Sequence, residues 1–173
     1  MTFKESVKIQ LTSAAREYEK LLNKDYIIQS NQFKFSDIYL LRFHEDNFLH
    51  LTGIITSLKA QMFFKKCLTG NLNNEEFTCD TSKELKGKVK EKLKNLNTIG
   101  EFFDRELVFQ EYYKKNRVEC KIASSDGKCT LGFVNIHSFI YVPLTLLNKN
   151  QINEKNQIKE FTLTIKSKPN DNK

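Results

Sequence analysis

The residues best suited to chemistry lie in one short stretch, Asn47–Ile54, where a histidine, a threonine and a glycine stand among apolar side chains. His50 supplies an imidazole, the side-chain type that general acid–base catalysis uses most often. Gly53 permits a positive φ or the close approach of a substrate backbone. The alternative interpretation of His50 is a buried, hydrogen-bonded histidine with a structural role, since one histidine without partners is not a site.

The elements that would hold this stretch follow from the spacing of the apolar residues, because steps of three and four predict helices and alternation predicts strands. Helices are predicted at 3–22, 57–69, 81–96 and, with an irregular alternative, 99–113. Strand-like runs are predicted at 26–28, 33–43, 118–123, 129–134, 138–146 and 160–166. Nothing alternates as strand–helix–strand. The order therefore predicts an α+β protein in which N-terminal helices pack on one antiparallel sheet.

The sequence Asp126-Gly127 is the strongest hairpin signal in the chain. A two-residue turn at these positions pairs Cys120 with Phe133 and places Gly132 opposite Lys121. Because glycine has no side chain, the ammonium group of Lys121 would have open space above the sheet. Lys121 is therefore a candidate for stabilising negative charge.

Composition favours a globular protein with anionic partners. The 173 residues are 39% hydrophobic, and 28 Lys and Arg stand against 21 Asp and Glu, which gives a net charge of +7. We expect a single domain over residues 1–166 and a disordered tail over 167–173. The charge favours nucleic acid or a membrane surface as partner, although a merely basic protein fits it equally well.

One predicted helix concentrates lysines on a single face. Lys86, Lys90 and Lys94 follow one another at steps of four, opposite the apolar stripe. Such a row can lie along a phosphate backbone, where each neutralised phosphate releases counterions. The alternative is an ordinary solvated helix face.

Several classes of protein are disfavoured by the sequence. No apolar run approaches the roughly 20 residues of a transmembrane helix and no signal peptide opens the chain, so we expect a cytoplasmic protein with no membrane partner. The four cysteines show neither C-x-x-C spacing nor histidines arranged as zinc ligands. We therefore expect reduced structural thiols, no metal site and no cofactor.

Three blocks of sequence together suggest a family: Asn47–Gly53, Leu58–Leu68 and Ser125–Phe133. In this order they resemble the phage-associated barnase–EndoU–colicin–RelE-like (PBECR) nucleases, most closely the fourth branch, over about Tyr26 to Ile165. The resemblance implies a BECR-like fold of N-terminal helices and an antiparallel sheet of about four strands. It also implies a metal-independent, toxin-like endoribonuclease of a phage or mobile element, acting on RNA.

The resemblance places several site residues. His50 matches the histidine of the family, and Thr52 and Gly53 match the residues after it, where they would bind substrate. Thr130 and Tyr141 fall in late strands, where related nucleases place hydroxyl or basic site residues. No second His or Glu completes a barnase-like pair, and His44 and His137 are candidates by residue type alone.

The chemistry of such a site is cleavage of RNA by its own ribose. A base takes the proton of a 2′-hydroxyl, the oxygen attacks the adjacent phosphorus, and an acid protonates the 5′-leaving oxygen. We assign His50 the acid or base role and Lys121 the stabilisation of charge. Thr130 or Tyr141 would donate a hydrogen bond to the phosphate, although both residue types are also common in ordinary strands.

Two other classes of function remain open. In the first, the protein binds nucleic acid without cleaving it, through the lysine row and exposed aromatic side chains. In the second, a phage-encoded nuclease fold presents a surface to a host-defence protein or to an inhibitor, since fold alone does not fix function.

Overall fold

The computed structural model describes residues 1–78, 83–136 and 139–168, with the backbone alone for 83–85. The described chain divides into two compact units. The helical unit comprises Met1–Leu21 and Glu45–Phe102, and the sheet unit comprises Leu22–His44 and the described part of Phe103–Lys173. Each unit is therefore built from two separate pieces of sequence. The single domain expected over residues 1–166 stays a prediction.

The regular elements follow the predicted order of helix, hairpin, helices and strands. The α-helices of the described residues are α1 Phe3–Glu19, α2 Phe48–Thr52, α3 Ala60–Thr69 and α4 Lys83–Leu96. The strands of the described residues are β1 Lys24–Gln29, β2 Ile38–Arg42, β3 Ile55–Thr56, β4 Phe77–Thr78, β5 Val108–Lys115, β6 Val118–Ser125, β7 Cys129–Asn135, β8 Ile140–Asn148 and β9 Thr162–Ser167. The predicted α4 start at Thr81 or Ser82 lies outside the described residues.

The core of the helical unit is largely aromatic. The Tyr18 ring of α1 lies 5.3 Å from that of Phe48 in α2 and 5.7 Å from that of Phe64 in α3, measured between centroids. All three side chains are at most 1% exposed. Because each buried aromatic side chain contributes about 1.5–3 kcal/mol, these contacts hold α1, α2 and α3 together.

The α3 helix begins at Ala60, three residues later than the sequence predicts. The reason is the short pairing of β3 with β4, which keeps Thr56 in extended backbone. The Thr56 hydroxyl donates to the carbonyl of Glu76 and accepts from the amide of Leu58, so its bonds hold a turn rather than a helix start. Gly70 ends α3 with φ of +75°, as predicted.

The main sheet corrects the expected architecture. Within the described residues it has seven strands in the order β5-β6-β7-β8-β2-β1-β9, not about four. The hairpin β1–β2 joins it through a parallel pairing of β2 with β8, in which Leu41 lies opposite Tyr141. β9 then pairs with the free side of β1. The two strand groups, separated in the sequence by the helical unit, therefore share one sheet.

The structure also corrects the predicted helical or irregular segment at 99–113, because residues 108–113 form most of the strand β5. Strand β5 pairs antiparallel with β6, from Val108 opposite Ser125 to Lys115 opposite Val118. A tight turn at Asn116-Arg117 joins the two strands, and Asn116 takes the positive φ of +56° that such a turn needs.

The register of the β6–β7 hairpin also differs from the predicted one, by two residues. Phe133 pairs with Ile122, and Gly132 pairs with Ala123 rather than lying opposite Lys121. The Asp126 carboxylate accepts hydrogen bonds from the amides of Lys128 and Cys129 at 2.8 and 2.9 Å. This carboxylate fixes the turn one residue later, at Gly127-Lys128.

Other expectations concern thiols, the tail and membranes. Cys67, Cys120 and Cys129 are buried free thiols, as predicted, and Cys79 lies outside the described residues. Strand β9 runs to Ser167, while the residues after Lys168 lie beyond the described part. Among the helices that the structure describes, none has both the length and the apolar character needed to span a membrane.

Candidate active site

His50 is an exposed side chain on the short helix α2. Its neighbours Phe48 and Leu51 are fully buried, so they fix the helix and turn the imidazole outward. The structure thus contradicts the alternative of a buried structural histidine. The imidazole is accessible for acid–base chemistry, and its catalytic role stays a prediction.

Thr52 and Gly53 have structural roles beside His50. The Thr52 side chain is 0% exposed, and its hydroxyl donates to the carbonyl of Leu49 at 2.7 Å and accepts from the amide of Ile54 at 3.1 Å. Gly53 ends α2 with φ of +70°, as its residue type predicts. The side-chain carbons of Lys92 cover the place of a Gly53 Cβ at 3.2 Å. The Thr52 hydroxyl is therefore not open to a ligand as predicted, whereas Gly53 is exposed and its role in binding substrate stays a prediction.

The predicted lysine row lies on α4. The Nζ atoms of Lys86 and Lys90 lie 5.2 and 5.6 Å from the centroid of the Phe3 ring, within cation–π distance. Lys90 and Lys94 are exposed. A role in binding substrate stays a prediction for these lysines, which belong with His50 to the helical unit.

Lys121 and Tyr141, both predicted site residues, lie in the sheet unit beside a group of residues that the sequence does not predict as site residues. The Nζ atom of Lys121 lies 5.0 Å from the ring centroid of Tyr112. The Tyr141 ring lies 5.1 Å from that of Tyr39. Glu111 completes this group, which we call the tyrosine–glutamate cluster: Tyr39, Glu111, Tyr112, Lys121 and Tyr141.

Glu111 is the centre of the cluster's hydrogen bonding. Its carboxylate accepts from the Tyr39 hydroxyl at 2.5 Å and from the backbone amides of Lys34 and Phe35 at 2.6 and 3.1 Å. Hydrogen bonds to a carboxylate are short and strong, so they fix its position and tie the loop before β2 to β5. These bonds hold the carboxylate, a group type that can act as a general base, in one fixed place.

Two phenols of the cluster, those of Tyr39 and Tyr141, have a raised pKa and are therefore held in their protonated form. Burial, followed by the hydrogen bond to Glu111, raises the pKa of Tyr39 far above its ordinary value. Burial, and then the nearby Tyr112 and Glu111, also raises the pKa of Tyr141. The Tyr141 hydroxyl makes no hydrogen bond to any described residue, so it can donate one to a phosphate oxygen.

Tyr112 owes its position to an unusual backbone. Its φ is +53°, in the left-handed region that bulky side chains seldom occupy. Such strain concentrates at functional sites and persists only where the surrounding structure imposes it. Here the pairing of β5 with β6 continues on both sides of Tyr112, and the ring, 46% exposed, stands against Phe35 and Lys121.

Thr130 lies away from the cluster. It is 1% exposed, and its hydroxyl donates to the carbonyl of Lys149 and accepts from the amide of Gln151 at 2.8 and 2.9 Å. Tyr141 pairs with Asn135, five residues along β7 from Thr130, which corresponds to about 17 Å. Thr130 therefore fastens the end of the β7–β8 hairpin, and the structure does not bring it to Lys121 and Tyr141.

Glu111 and Tyr112 are absent from the predicted site because the sequence does not predict their segment as a strand. The run from Val108 to Tyr113 is rich in β-branched and aromatic residues and precedes Asn116, which is a strand and turn signal. Tyr39 lies in a predicted strand, but its bond to Glu111 spans 72 positions of sequence. Only the tertiary pairing shows that bond.

Neither the two remaining histidine candidates nor a metal-binding group adds to the site in the described part of the chain. His44 is exposed in the sheet unit, and His137 lies outside the described residues. Among the described side chains, no group of three or more His, Cys, Asp or Glu residues is arranged to hold a metal ion.

The sequence matches one family over nearly its whole length. Residues 10–173 fit the model of a family described as phage-Barnase-EndoU-ColicinE5/D-RelE like nuclease4. No curated protein and no solved structure shows significant similarity to the chain.

Proposed function

The chain belongs to this nuclease family, and we propose that it is an endoribonuclease that works without a metal ion and acts at the tyrosine–glutamate cluster. The observation that carries the proposal is the meeting of a fixed carboxylate, two protonated phenols and a lysine in one unit of the protein. These are the group types that acid–base cleavage of RNA requires.

Each group has a role that its surroundings support. Glu111 takes the proton of the ribose 2′-hydroxyl, whose oxygen then attacks the adjacent phosphorus. Lys121 stabilises the charge that develops on the phosphoryl oxygens, since its ammonium group has no carboxylate partner among the described residues. Tyr141 gives its proton to the 5′-leaving oxygen, so the products are a 2′,3′-cyclic phosphate and a 5′-hydroxyl. Tyr39 orients Glu111 through its hydrogen bond.

His50 stays a separate candidate for the acid or base. It is exposed, and buried neighbours on α2 hold it in place. The cluster alone contains both a proton acceptor and proton donors, so the proposed reaction does not require the imidazole. The two candidates therefore make opposite predictions for the same variants.

The test is cleavage of total RNA and of tRNA in EDTA by the wild type and by Glu111→Gln, Tyr141→Phe and His50→Ala, with analysis of the product ends. Loss of a general acid or base lowers the rate about 10²–10⁴-fold. We expect this loss in kcat for Glu111→Gln and Tyr141→Phe, and nearly full activity for His50→Ala.

Tyr113→Phe is the matched control for Tyr141→Phe. Tyr113 lies next to the cluster on β5, is 4% exposed, and its hydroxyl has no hydrogen-bond partner in the described structure. Its removal should leave activity unchanged. If His50→Ala abolishes cleavage while Tyr141→Phe cleaves normally, the proposed site is wrong and the active site belongs to α2.

The rival functions give other results in the same assay. A nucleic-acid-binding protein without catalysis would bind RNA in a salt-sensitive way and yield no product. A protein that blocks a host defence would fail to bind RNA at low salt and would co-purify with a host protein. Cyclic-phosphate ends formed in EDTA would exclude both.

A further inference from the structure

Two open cavities of the sheet unit differ in the charge of the residues that line them, and only the smaller is lined by a residue of the cluster. The larger, about 490 Å³, is lined by Asp37 and Glu160 among neutral residues, with no Lys or Arg among the lining residues. The smaller, about 260 Å³, is lined by Glu111 itself and by Phe35, Lys34 and Lys155. An anionic substrate is favoured in the second cavity and disfavoured in the first.

The walls of the smaller cavity are held by the backbone. On one side, the amides of Phe109 and Ile158 each donate to the other residue's carbonyl, at 3.0 and 2.7 Å, and so join the segment 155–158 to β5. On the other side, Glu111 binds the amides of Lys34 and Phe35. The cavity is therefore formed before a ligand arrives, which lowers the entropic cost of binding.

The side chains that line this cavity are of the types by which proteins bind nucleotides. Phe35 is 65% exposed and contacts the Tyr112 ring at 4.4 Å between centroids, so the phenylalanine presents open aromatic surface beside the cluster. The side-chain amides of Gln32 and Gln110 line the cavity and make no hydrogen bond to any described residue. Stacking surface and free amides are the groups by which proteins recognise unpaired bases.

We infer that this cavity takes one unpaired adenine of the RNA substrate. The base stacks on Phe35, and a glutamine amide, Gln110 foremost, pairs with N6 and N7 of adenine, the base edge that a side-chain amide matches with two hydrogen bonds. Lys34 and Lys155 meet the flanking phosphates. Glu111 lines the same cavity, so cleavage should occur next to this adenine. This consequence rests on the proposed function, whereas the binding of the base does not.

The consequence is selectivity for single-stranded RNA. A base within a duplex is stacked and paired, so it must be extruded before it can enter the cavity. Loops and unpaired ends present their bases without that cost. Cleavage sites should therefore fall in single-stranded regions beside an adenine.

The test measures binding apart from cleavage. The probes are fluorescein-labelled 2′-O-methyl RNA hexamers, homouridine except for one central adenine, guanine or cytosine, and a duplex of the adenine hexamer. They have no free 2′-hydroxyl, so they bind without being cleaved. By fluorescence anisotropy we expect the adenine hexamer to bind most tightly, and Phe35→Ala to weaken it about 5- to 150-fold, the range of base–aromatic stacking.

Matched variants separate the cavity from the general surface. Phe139 is 87% exposed and does not line the cavity, so Phe139→Ala should bind as wild type does. Gln110→Ala should remove the preference for adenine, whereas Gln29→Ala, in the larger cavity, should keep it. Circular dichroism of each variant confirms that it is folded.

Two outcomes would overturn the inference: equal binding by Phe35→Ala and Phe139→Ala, or equal binding of the three hexamers by the wild type. Failure of the proposed function looks different. In that case natural RNA is not cleaved, while the adenine hexamer still binds in a Phe35-dependent way, and the cavity keeps its assigned ligand.

Discussion

At the scale of single residues, paired polar groups show how the sheet unit fixes its side chains. Asp25 and Arg42 lie opposite each other on β1 and β2, and the Arg42 guanidinium donates two hydrogen bonds to the Asp25 carboxylate, at 2.7 and 3.1 Å. Both side chains are only 16% exposed. The bond to Arg42 is the main cause that lowers the pKa of Asp25 below its ordinary value. Protonation of the Asp25 carboxylate should therefore lower the free energy of unfolding.

Asp25→Asn should lower the free energy of unfolding by about 1–3 kcal/mol at pH 7, the usual worth of a charged hydrogen bond. Because the folded-state pKa of Asp25 is depressed, its contribution is present above the unfolded pKa of about 3.9 and is lost as the pH falls through the lower folded value. The difference between wild type and variant should therefore stay constant from pH 7 to 5 and shrink below pH 4.

Urea unfolding between pH 3 and 7 measures this difference. Asp37→Asn, at an exposed carboxylate of the same unit, is the control and should leave stability unchanged. A wild-type advantage that persists undiminished at pH 3 would contradict the assignment.

At the scale of elements, the meeting of β6, β7 and β8 depends on Gly132. The residue is buried, pairs with Ala123 on one side and Thr145 on the other, and adjoins a break in the β7–β8 register. A Cβ atom at this position would overlap the sulfur of Cys120 and lie 2.9 Å from a methyl group of Thr145. The absence of a side chain thus lets the three strands approach.

Gly132→Ala should destabilise the protein by about 1–3 kcal/mol, the cost of overpacking a core. The double variant Cys120→Ala with Gly132→Ala should recover part of this loss, because it removes the overlapping sulfur. Urea unfolding checks both values.

Gly87→Ala is the control of opposite sign. Gly87 lies in α4, and apart from its chain neighbours and the backbone of the helix no atom lies within 4 Å of its would-be Cβ, so alanine should stabilise the helix by about 0.5–1 kcal/mol. A Gly132→Ala variant as stable as the wild type would show that the strands can shift to accept a methyl group.

At the scale of the whole molecule, the net charge of +7 predicts salt-dependent binding of an anionic polymer. The charge is not spread evenly, since the α4 segment alone holds six lysines and two glutamates. Two of these lysines, Lys86 and Lys90, stand over the Phe3 ring, which holds their ammonium groups near one point of the surface.

Single-stranded RNA should bind more weakly as salt rises, and the triple variant Lys86→Ala, Lys90→Ala, Lys94→Ala should reduce the slope of log K against log salt by about 2. The value follows from roughly 0.7 per neutralised phosphate on a single strand. Anisotropy titrations from 50 to about 300 mM salt measure it.

A second triple variant, Lys65→Ala, Lys114→Ala, Lys159→Ala, is the charge-matched control. These lysines are exposed, and both variants carry +4 in place of +7. An equal change of slope in the two variants would mean that net charge acts through the whole surface and that α4 has no special role.

The sequence by itself determined the features that rest on local physics. Apolar spacing placed α1 and α3, Gly70 ended α3 with a positive φ, and the blocks around His50 and Asp126 identified the family. Gly53 takes the positive φ that its residue type allows, but the short helix α2 before it was not predicted. The resemblance to the family selected Tyr141, and a hairpin register that the structure corrects selected Lys121; Tyr112 lies near both in the fold. Such signals lie within a few residues of one another, where periodicity and turn chemistry act.

Only the tertiary structure decided which strands are neighbours. The pairing of β2 with β8 and the two-residue change of register at Asp126 depend on contacts between distant segments and on one side-chain carboxylate. Those pairings put Glu111 against Tyr39 and leave Thr130 about 17 Å along the strand from the partner of Tyr141. Because a strand presents alternate faces, each such choice of partner and register settles which side chains can act together.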